Sequence, residues 1–212
     1  MLTLSRCYYT LASFISLSLM ASSALAASNK TIQQQFDVAD LATLELNISI
    51  GELEIEIVDS QQLQVEISLE AERRLFGLRA GSVDAIELAT NQSATTLFLG
   101  IDVHDVTQHW IVQVPRHLAM TISLGVGDVQ IEKLENSLDM EIGVGSVRVN
   151  VIEAAFADIH LSTGVGDAAI RGMQSKADNE RSFISADVYY EGDGEHHITI
   201  DMEVGEVLVR KD

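Results

Sequence analysis

The residues of this sequence whose types and spacing could do chemistry are acids that recur behind glycines. An acidic or hydroxyl side chain follows a glycine, or in one copy an alanine, at six places: Glu52, Asp128, Ser146, Asp167, Asp187 and Glu206. If these copies stack as neighbouring strands about 4.8 Å apart, adjacent carboxylates repel by roughly 0.9 kcal/mol in water. Ca²⁺ would relieve that repulsion, because carboxylate oxygens are its preferred ligands. We favour the simpler interpretation that each acid caps its own turn, since the Gly-Gly-x-Gly-x-Asp calcium pattern is absent.

The histidines offer a weaker case for a metal site. No H-E-x-x-H or comparable ligand spacing is present. We therefore interpret as surface residues the histidines before the repeats and those after an Asp-Gly turn: His104, His109, His117, His196 and His197.

The densest acidic group consists of Asp187, Glu191 and Asp193 around Tyr189-Tyr190. Carboxylates beside aromatic rings are typical of sugar-binding and glycan-cleaving sites, which need their carboxylates in one cleft about 5–10 Å apart. An exposed acidic turn is the interpretation we favour. No G-x-S-x-G, Walker or dinucleotide-binding glycine motif occurs. The sequence thus predicts no enzyme, no catalytic, cofactor-binding or metal-binding residue, and no cofactor.

The composition is that of a folded acidic protein. The 212 residues include 13 Lys+Arg and 32 Asp+Glu, a net charge of −19, with 47% hydrophobic residues. That apolar content exceeds what an acidic disordered chain contains. Nucleic acid is excluded as a partner, because phosphate binding requires a basic surface.

Residues 1–26 are predicted to be a signal peptide. Arg6 supplies a positive charge, residues 11–19 are largely apolar, and Ala24-Leu25-Ala26 matches an A-x-A cleavage site. The chain that remains, 27–212, contains no cysteine, because Cys7 is the only one, and no stretch long enough to span a membrane. We expect an exported protein, periplasmic or at the cell surface or extracellular.

A repeat positions the acids. A glycine, usually an acid, an apolar residue, any residue and another apolar residue recur at Gly51, Gly127, Gly145, Gly166 and Gly205. The last four glycines are 18, 21 and 39 residues apart, so a degenerate copy is predicted between the final two. Ala186 then takes the place of its glycine, and the period becomes about twenty residues.

The alternation of apolar residues changes phase at each glycine. Around Gly145, apolar residues occupy the odd positions before it, as far as Val144, and then positions +2 and +4, Val147 and Val149. A straight strand would expose half of this set. The sequence therefore predicts a corner at the glycine, where φ > 0 and close backbone approach suit a residue without Cβ, with Val144 inside.

The predicted fold is all-β: a β-solenoid-like repeat of about 20 residues per coil, with an antiparallel β-sandwich as the alternative. We expect 27–212 to form a single β-strand-repeat domain. Residues 36–118 are predicted to be an N-terminal β flank covering one end of the stack, and 119–210 the repeat coils. The number of coils between Gly51 and Gly127 stays open.

These motifs and the opening Leu44-Glu-Leu-Asn-Ile-Ser-Ile-Gly51 resemble the bacterial putative-adhesin, or toast-rack, β-strand-repeat family, a domain of unknown function. The resemblance would cover about Phe36 to Arg210. It implies a right-handed β-solenoid outside the cytoplasm, and no catalytic residues. Ala186 and Ser146 depart from the family pattern.

The predicted function is a non-catalytic, adhesin-like binding or scaffold role at the bacterial cell envelope. The partner is an unidentified envelope component or protein, and the oligomeric state stays open. A Ca²⁺-dependent binding module and a small glycan-active enzyme are the alternatives.

Overall fold

The computed structural model describes residues 29–71, 83–173, 177–181 and 184–212, and the predicted signal peptide, 1–26, lies outside them. The described chain is all-β, as predicted, with twelve strands in one sheet, one 3₁₀ turn at Glu153–Ala155 and no α-helix. The strands are β1 (Asn29–Asp37), β2 (Thr43–Val58), β3 (Gln62–Ala71), β4 (Ala89–Gln92), β5 (Thr96–Ile101), β6 (Val106–Pro115), β7 (Ala119–Leu134), β8 (Leu138–Val151), β9 (Phe156–Arg171), β10 (Ala177–Arg181), β11 (Ala186–Glu191) and β12 (His196–Lys211).

The repeats stack as parallel strands in a single register. β2, β7, β8, β12 and β9 lie side by side in that order, and each pairs in parallel with the next. Their corner glycines form one column, in the order Gly51, Gly127, Gly145, Gly205 and Gly166. Parallel pairing excludes the alternative of one antiparallel hairpin per repeat. We call each layer of this stack a rung.

Each long strand bends at its glycine and buries apolar side chains on both sides of the bend. In β8, Leu138, Met140 and Ile142 before the glycine and Val147 and Val149 after it are all buried. These side chains belong to one hydrophobic cluster that runs through every rung. The predicted corner is therefore present, and it keeps both halves of the alternating pattern inside.

The corner glycines are required by the packing of adjacent backbones. A Cβ on Gly145 would lie 1.7 Å from the carbonyl oxygen of Gly127, and a Cβ on Gly166 would lie 1.8 Å from that of Gly205. Gly166 also has a φ of 142°, which L side chains rarely adopt. Close approach and backbone conformation thus both select glycine, as the sequence predicted.

The corner is wider than predicted, and this corrects the expected position of Val144. Val144 was expected inside, but its side chain is 45% exposed. The ladder passes from Leu124↔Ile142 directly to Val126↔Val144 and skips the residue before the valine. The backbone therefore starts to turn two residues before the glycine, so the buried alternation ends at Ile142 and the valine faces outward.

The order of the rungs differs from the order of the repeats along the chain. β12, the last repeat, lies between β8 and β9. β2, the first, lies between β7 and the rung formed by β5 and β6. The first and last repeats therefore each fill a gap between two other rungs.

Residues 36–118 contribute two rungs as well as flanking strands. β5 pairs with the first half of β2, and β6 with its second half. Gln108 stands beside Gly51 in the corner column, which identifies a copy between Gly51 and Gly127. Its buried amide donates to the carbonyl of Ile101 (3.2 Å) and accepts a hydrogen bond from Trp110 Nε1 (3.0 Å). β3 and β1 then extend the sheet in antiparallel pairing.

The predicted copy at Ala186 is wrong. Ala186 begins β11, which pairs antiparallel with β9 and faces Thr163 rather than Gly166. Two hydrogen bonds join the Thr163 side chain to the backbone of Ala186. The Gly205 copy stands between Gly145 of β8 and Gly166 of β9, with no copy between Gly166 and Gly205 in the column.

Candidate functional site

A row of exposed aliphatic side chains follows the outer edge of the corner. Val126, Val144, Val204 and Val165 are between 42 and 48% exposed, and they occupy one register position on four adjacent rungs. The half-buried Ile50 continues the row on β2. We call these five side chains the ridge. The sequence contains the signal for it, a valine before each of these four glycines, but the alternating pattern assigned those valines to the core.

The predicted acids form a second row beside the ridge. Five of the six stand in register, in the rung order Glu52, Asp128, Ser146, Glu206 and Asp167. The four carboxylates are exposed. The structure does not bring Asp187 to this row, because Asp187 lies on β11 opposite Ser162. We call the five aligned residues the acidic row.

A groove of about 520 Å³ lies on the other side of the ridge. Its floor includes Gly125, Gly143 and Gly164, and its acidic lining residues are Glu141, Asp201 and Glu203. A Cβ on Gly143 would lie 2.5 Å from the carbonyl oxygen of Gly125, so the floor is backbone. The ridge therefore has carboxylates on both sides.

The charged side chains of the edge that contains the ridge, the acidic row and the groove are all negative. The five segments that form it are 47–52, 123–128, 141–146, 201–206 and 162–167, and they contain seven carboxylates and no Lys, Arg or His. Arg148 is the first basic residue beyond the edge on β8. At the end of the acidic row, His109 Nδ1 lies 3.2 Å from Glu52 Oε2. An aliphatic ridge between carboxylates is suited to binding an apolar, positively charged surface.

The described residues contain no group of three or more His, Cys, Asp or Glu side chains arranged to hold a metal ion. The histidines are scattered: His104 Nε2 lies 3.6 Å from Asp102, His117 Nε2 lies 3.0 Å from the carbonyl of Val38, and His197 Nδ1 lies 3.4 Å from Ser137 Oγ.

The acidic group around Tyr189-Tyr190 is divided between two places. On the outer face, Asp187 lies 3.2 Å from His160 Nε2, and the His160 ring contacts Tyr189 edge-on with centroids 6.3 Å apart. The alternation of a strand sends Tyr190 to the opposite face, where it is buried. The sequence interpretation overlooked His160, although it lies two residues before Ser162 on the same strand.

Tyr190 lines a cavity of about 860 Å³ at the ends of the rungs, together with Glu191, Asp193 and Glu153. Its hydroxyl donates to Glu153 Oε1 (3.4 Å), and Lys211 Nζ lies 2.6 Å from Glu153 Oε2. Burial, and then the negative charge of Glu153, raise the pKa of Tyr190 above its usual value. At neutral pH Tyr190 is therefore a neutral hydrogen-bond donor that helps to hold Glu153.

No protein-family model matches this chain, and no curated protein matches it. Among solved structures, a putative cell adhesion protein from Clostridium sporogenes is similar at 12% identity and a TM-score of 0.51, covering 87% of this chain and 100% of that one. This likeness extends the fold to a second protein. A putative adhesin from Bacteroides fragilis (TM-score 0.30, 12% identity, 85% of this chain and 97% of that one) and a putative lipid binding protein from Parabacteroides distasonis (TM-score 0.21, 12% identity, 88% and 98%) are more distant.

The described part of the chain has no helix with the length and apolar character needed to cross a membrane.

Proposed function

We propose that this chain is an exported bacterial protein with a non-catalytic, adhesin-like binding or scaffold role at the cell envelope. The observation that carries the proposal is the ridge. Valine recurs at one register position on four adjacent rungs, although each copy is nearly half exposed. A contiguous exposed apolar row rimmed by polar residues is typical of an interaction site. Its repetition on successive rungs is explained by a partner that lies across them.

Two further observations support the proposal. The signal-peptide pattern in residues 1–26 favours export. The structurally similar protein from Clostridium sporogenes is named a putative cell adhesion protein, which favours an adhesin-like role and the putative-adhesin family. The periplasm and the cell surface are both compatible with these observations.

The proposal takes the rungs as coils of a right-handed β-solenoid-like repeat. Between β7 and β8 only residues 135–137 return the chain to the start of the next rung. The amide of Met120 donates to the carbonyl of Ser137 (2.9 Å), which brings the end of this return beside the start of β7. In this proposal β2 and β12 are coils inserted between other coils, so the coils do not all follow chain order.

The two alternatives have weaker support within the described residues. A Ca²⁺-dependent module needs a group of ligands, and none of three or more is present there. A glycan-active enzyme needs converging carboxylates. Glu153, Glu191 and Asp193 line the end cavity beside Tyr190, but Glu153 is held by Lys211 and the Tyr190 hydroxyl, and Asp187 lies on the outer face.

The test is cosedimentation of purified 27–212 with isolated bacterial cell envelopes. We expect saturable binding that weakens at least tenfold when three ridge valines are changed together: Val126→Ser, Val144→Ser and Val204→Ser. The matched control is Ile111→Ser, which removes an exposed aliphatic side chain from another face (42% exposed) and should leave binding unchanged. Absence of cosedimentation, or equal binding by the triple variant and the control, would contradict the proposal.

A further inference from the structure

We infer that the partner bound by the ridge is a basic amphipathic α-helix lying along the stacking direction of the rungs. This inference rests on the proposed function, because it assigns a partner class to the same surface. Three features of the edge lead to it: the charge on both sides of the ridge, the pairing of the ridge strands and the spacing of the rungs.

The charge of the edge selects a cationic partner. Carboxylates of the acidic row, such as Asp128 and Glu206, lie on one side of the ridge, and Glu141, Asp201 and Glu203 line the groove on the other. A second copy of this chain would bring the same carboxylates face to face, and an anionic membrane surface would be repelled. A helix with an apolar stripe and Lys or Arg on both flanks matches this pattern.

The strand pairing rules out a partner that adds as a β-strand at the ridge. β7, β8 and β12 each pair with a neighbour on both sides, so none of them presents a free sheet edge. Strand addition requires a free sheet edge. A partner at the ridge therefore contacts side chains and gains no backbone hydrogen bonds from the sheet, which favours a partner such as a helix whose backbone is already hydrogen-bonded internally.

The spacing of the rungs fits a helix better than an extended chain. Neighbouring ridge side chains are separated by one strand spacing, about 4.8 Å. Successive turns of an α-helix are about 5.4 Å apart, a mismatch of roughly 0.6 Å per rung. Side chains on one face of an extended peptide recur every 6.6–6.8 Å or so, a mismatch of about 2 Å per rung. Over the four intervals of the ridge a helix of three to four turns accumulates a mismatch of about 2.4 Å, half a rung spacing, whereas an extended chain is already about 4 Å out of register after two rungs.

The test compares two synthetic peptides of identical Leu and Lys composition. One has its leucines at helical spacing (i, i+3, i+4, i+7), and the other alternates Leu and Lys. Binding to 27–212 is followed by fluorescence anisotropy at physiological ionic strength. We expect the helix-patterned peptide to bind at least tenfold more tightly and to gain helical circular dichroism on binding. Equal affinities for the two peptides would overturn the inference.

Variants locate the binding surface. The triple valine variant should weaken binding of the helix-patterned peptide at least tenfold, and Ile111→Ser should not. Asp128→Asn with Glu206→Gln should lower affinity and reduce its salt dependence. The matched pair Glu45→Gln with Asp139→Asn, exposed residues farther from the corner, should change it less than twofold. Circular dichroism of each free variant establishes that it is folded, and undiminished binding by the valine variant would overturn the inference.

The outcomes separate this inference from the proposed function. Valine-dependent binding to envelopes with no preference for the helix-patterned peptide would keep the binding role and reject the helical partner. A dimer of the wild-type protein that dissociates in the triple valine variant, detected by sedimentation velocity, would identify the ridge as a self-interface and also reject the helix.

Discussion

At the scale of single residues, the corner glycines leave no room for a methyl group. The Gly145→Ala variant would place a Cβ 1.7 Å from a backbone carbonyl oxygen on the next rung. Because that oxygen belongs to a paired strand, the whole rung must shift. We expect the free energy of unfolding, measured in urea, to fall by about 3 kcal/mol or more.

Ser146→Ala is the matched control for this variant. Ser146 is the next residue of the same corner and is only partly buried. Its replacement should change the free energy of unfolding by less than about 0.5 kcal/mol. Similar stabilities for the two variants would show that the corner column tolerates side chains.

Tyr190 is expected to lower the free energy of unfolding at alkaline pH. Burial and Glu153 raise its pKa in the folded chain. Between the unfolded value of about 10 and the higher folded value, the unfolded chain has lost the phenolic proton and the folded chain keeps it. The free energy of unfolding therefore falls as pH rises through this window, and Tyr190 contributes no slope below it.

The measurement for Tyr190 is ultraviolet titration of the phenolate together with urea unfolding above pH 9. Tyr190→Phe should remove the late-titrating tyrosine and flatten this part of the stability profile, although it also loses the hydrogen bond to Glu153. Tyr189→Phe, at an exposed position, should retain both features. A late phenolate that persists in Tyr190→Phe would assign it to another residue.

At the scale of elements, the sequence predicted the strands, the corners and the glycine register, because these depend on local alternation and on one repeated residue. It could not predict the order of the rungs. β8 pairs with β12 as well as with β7, and a common period makes every copy an acceptable neighbour of every other. The position of β12 between β8 and β9 depends on contacts between residues far apart in the sequence, which the repeat period does not determine.

Part of the candidate site was likewise predictable from the sequence, and part of it was not. The alignment of five corner acids was predictable from the repeat. The exposure of Val144 was not, because alternation alone gives no signal that the backbone turns two residues early. Gln108 was missed since a glutamine in the corner column breaks the motif, yet its side chain is turned into the core and bonded to Trp110.

The position of β12 leads to a prediction about cooperativity. Deletion of residues 196–212 would leave β8 and β9 without a shared neighbour and would expose the apolar side chains of two rungs. Because rungs stabilise each other through nearest-neighbour contacts, we expect no cooperative thermal transition from this variant. Deletion of residues 27–37 removes β1, whose one strand partner in the described part of the chain is β3; that control should still unfold cooperatively. Cooperative unfolding of both would contradict an internal role for β12.

At the scale of the whole molecule, the net charge of −19 and the aligned acidic row oppose folding at low ionic strength. Any salt should relieve this repulsion, because screening depends on ionic strength rather than on the identity of the ion. A bound Ca²⁺ would instead stabilise the folded chain beyond screening, as any ligand of the native state does. Comparison at matched ionic strength therefore distinguishes the capping interpretation of the acids from the calcium interpretation.

We expect the melting temperature to rise with NaCl and to be the same in millimolar CaCl₂ as in NaCl of equal ionic strength, with no effect of EDTA. Asp128→Asn with Glu206→Gln should raise the melting temperature at low salt and reduce its salt dependence. Each substitution removes one carboxylate from an adjacent repelling pair in the acidic row. Glu45→Gln with Asp139→Asn, which removes the same charge outside that row, separates the local repulsion from the effect of net charge. A Ca²⁺ increment above matched NaCl that disappears in the Asp128/Glu206 variant would make the acidic row a metal site and favour the Ca²⁺-dependent module over the metal-free binding protein.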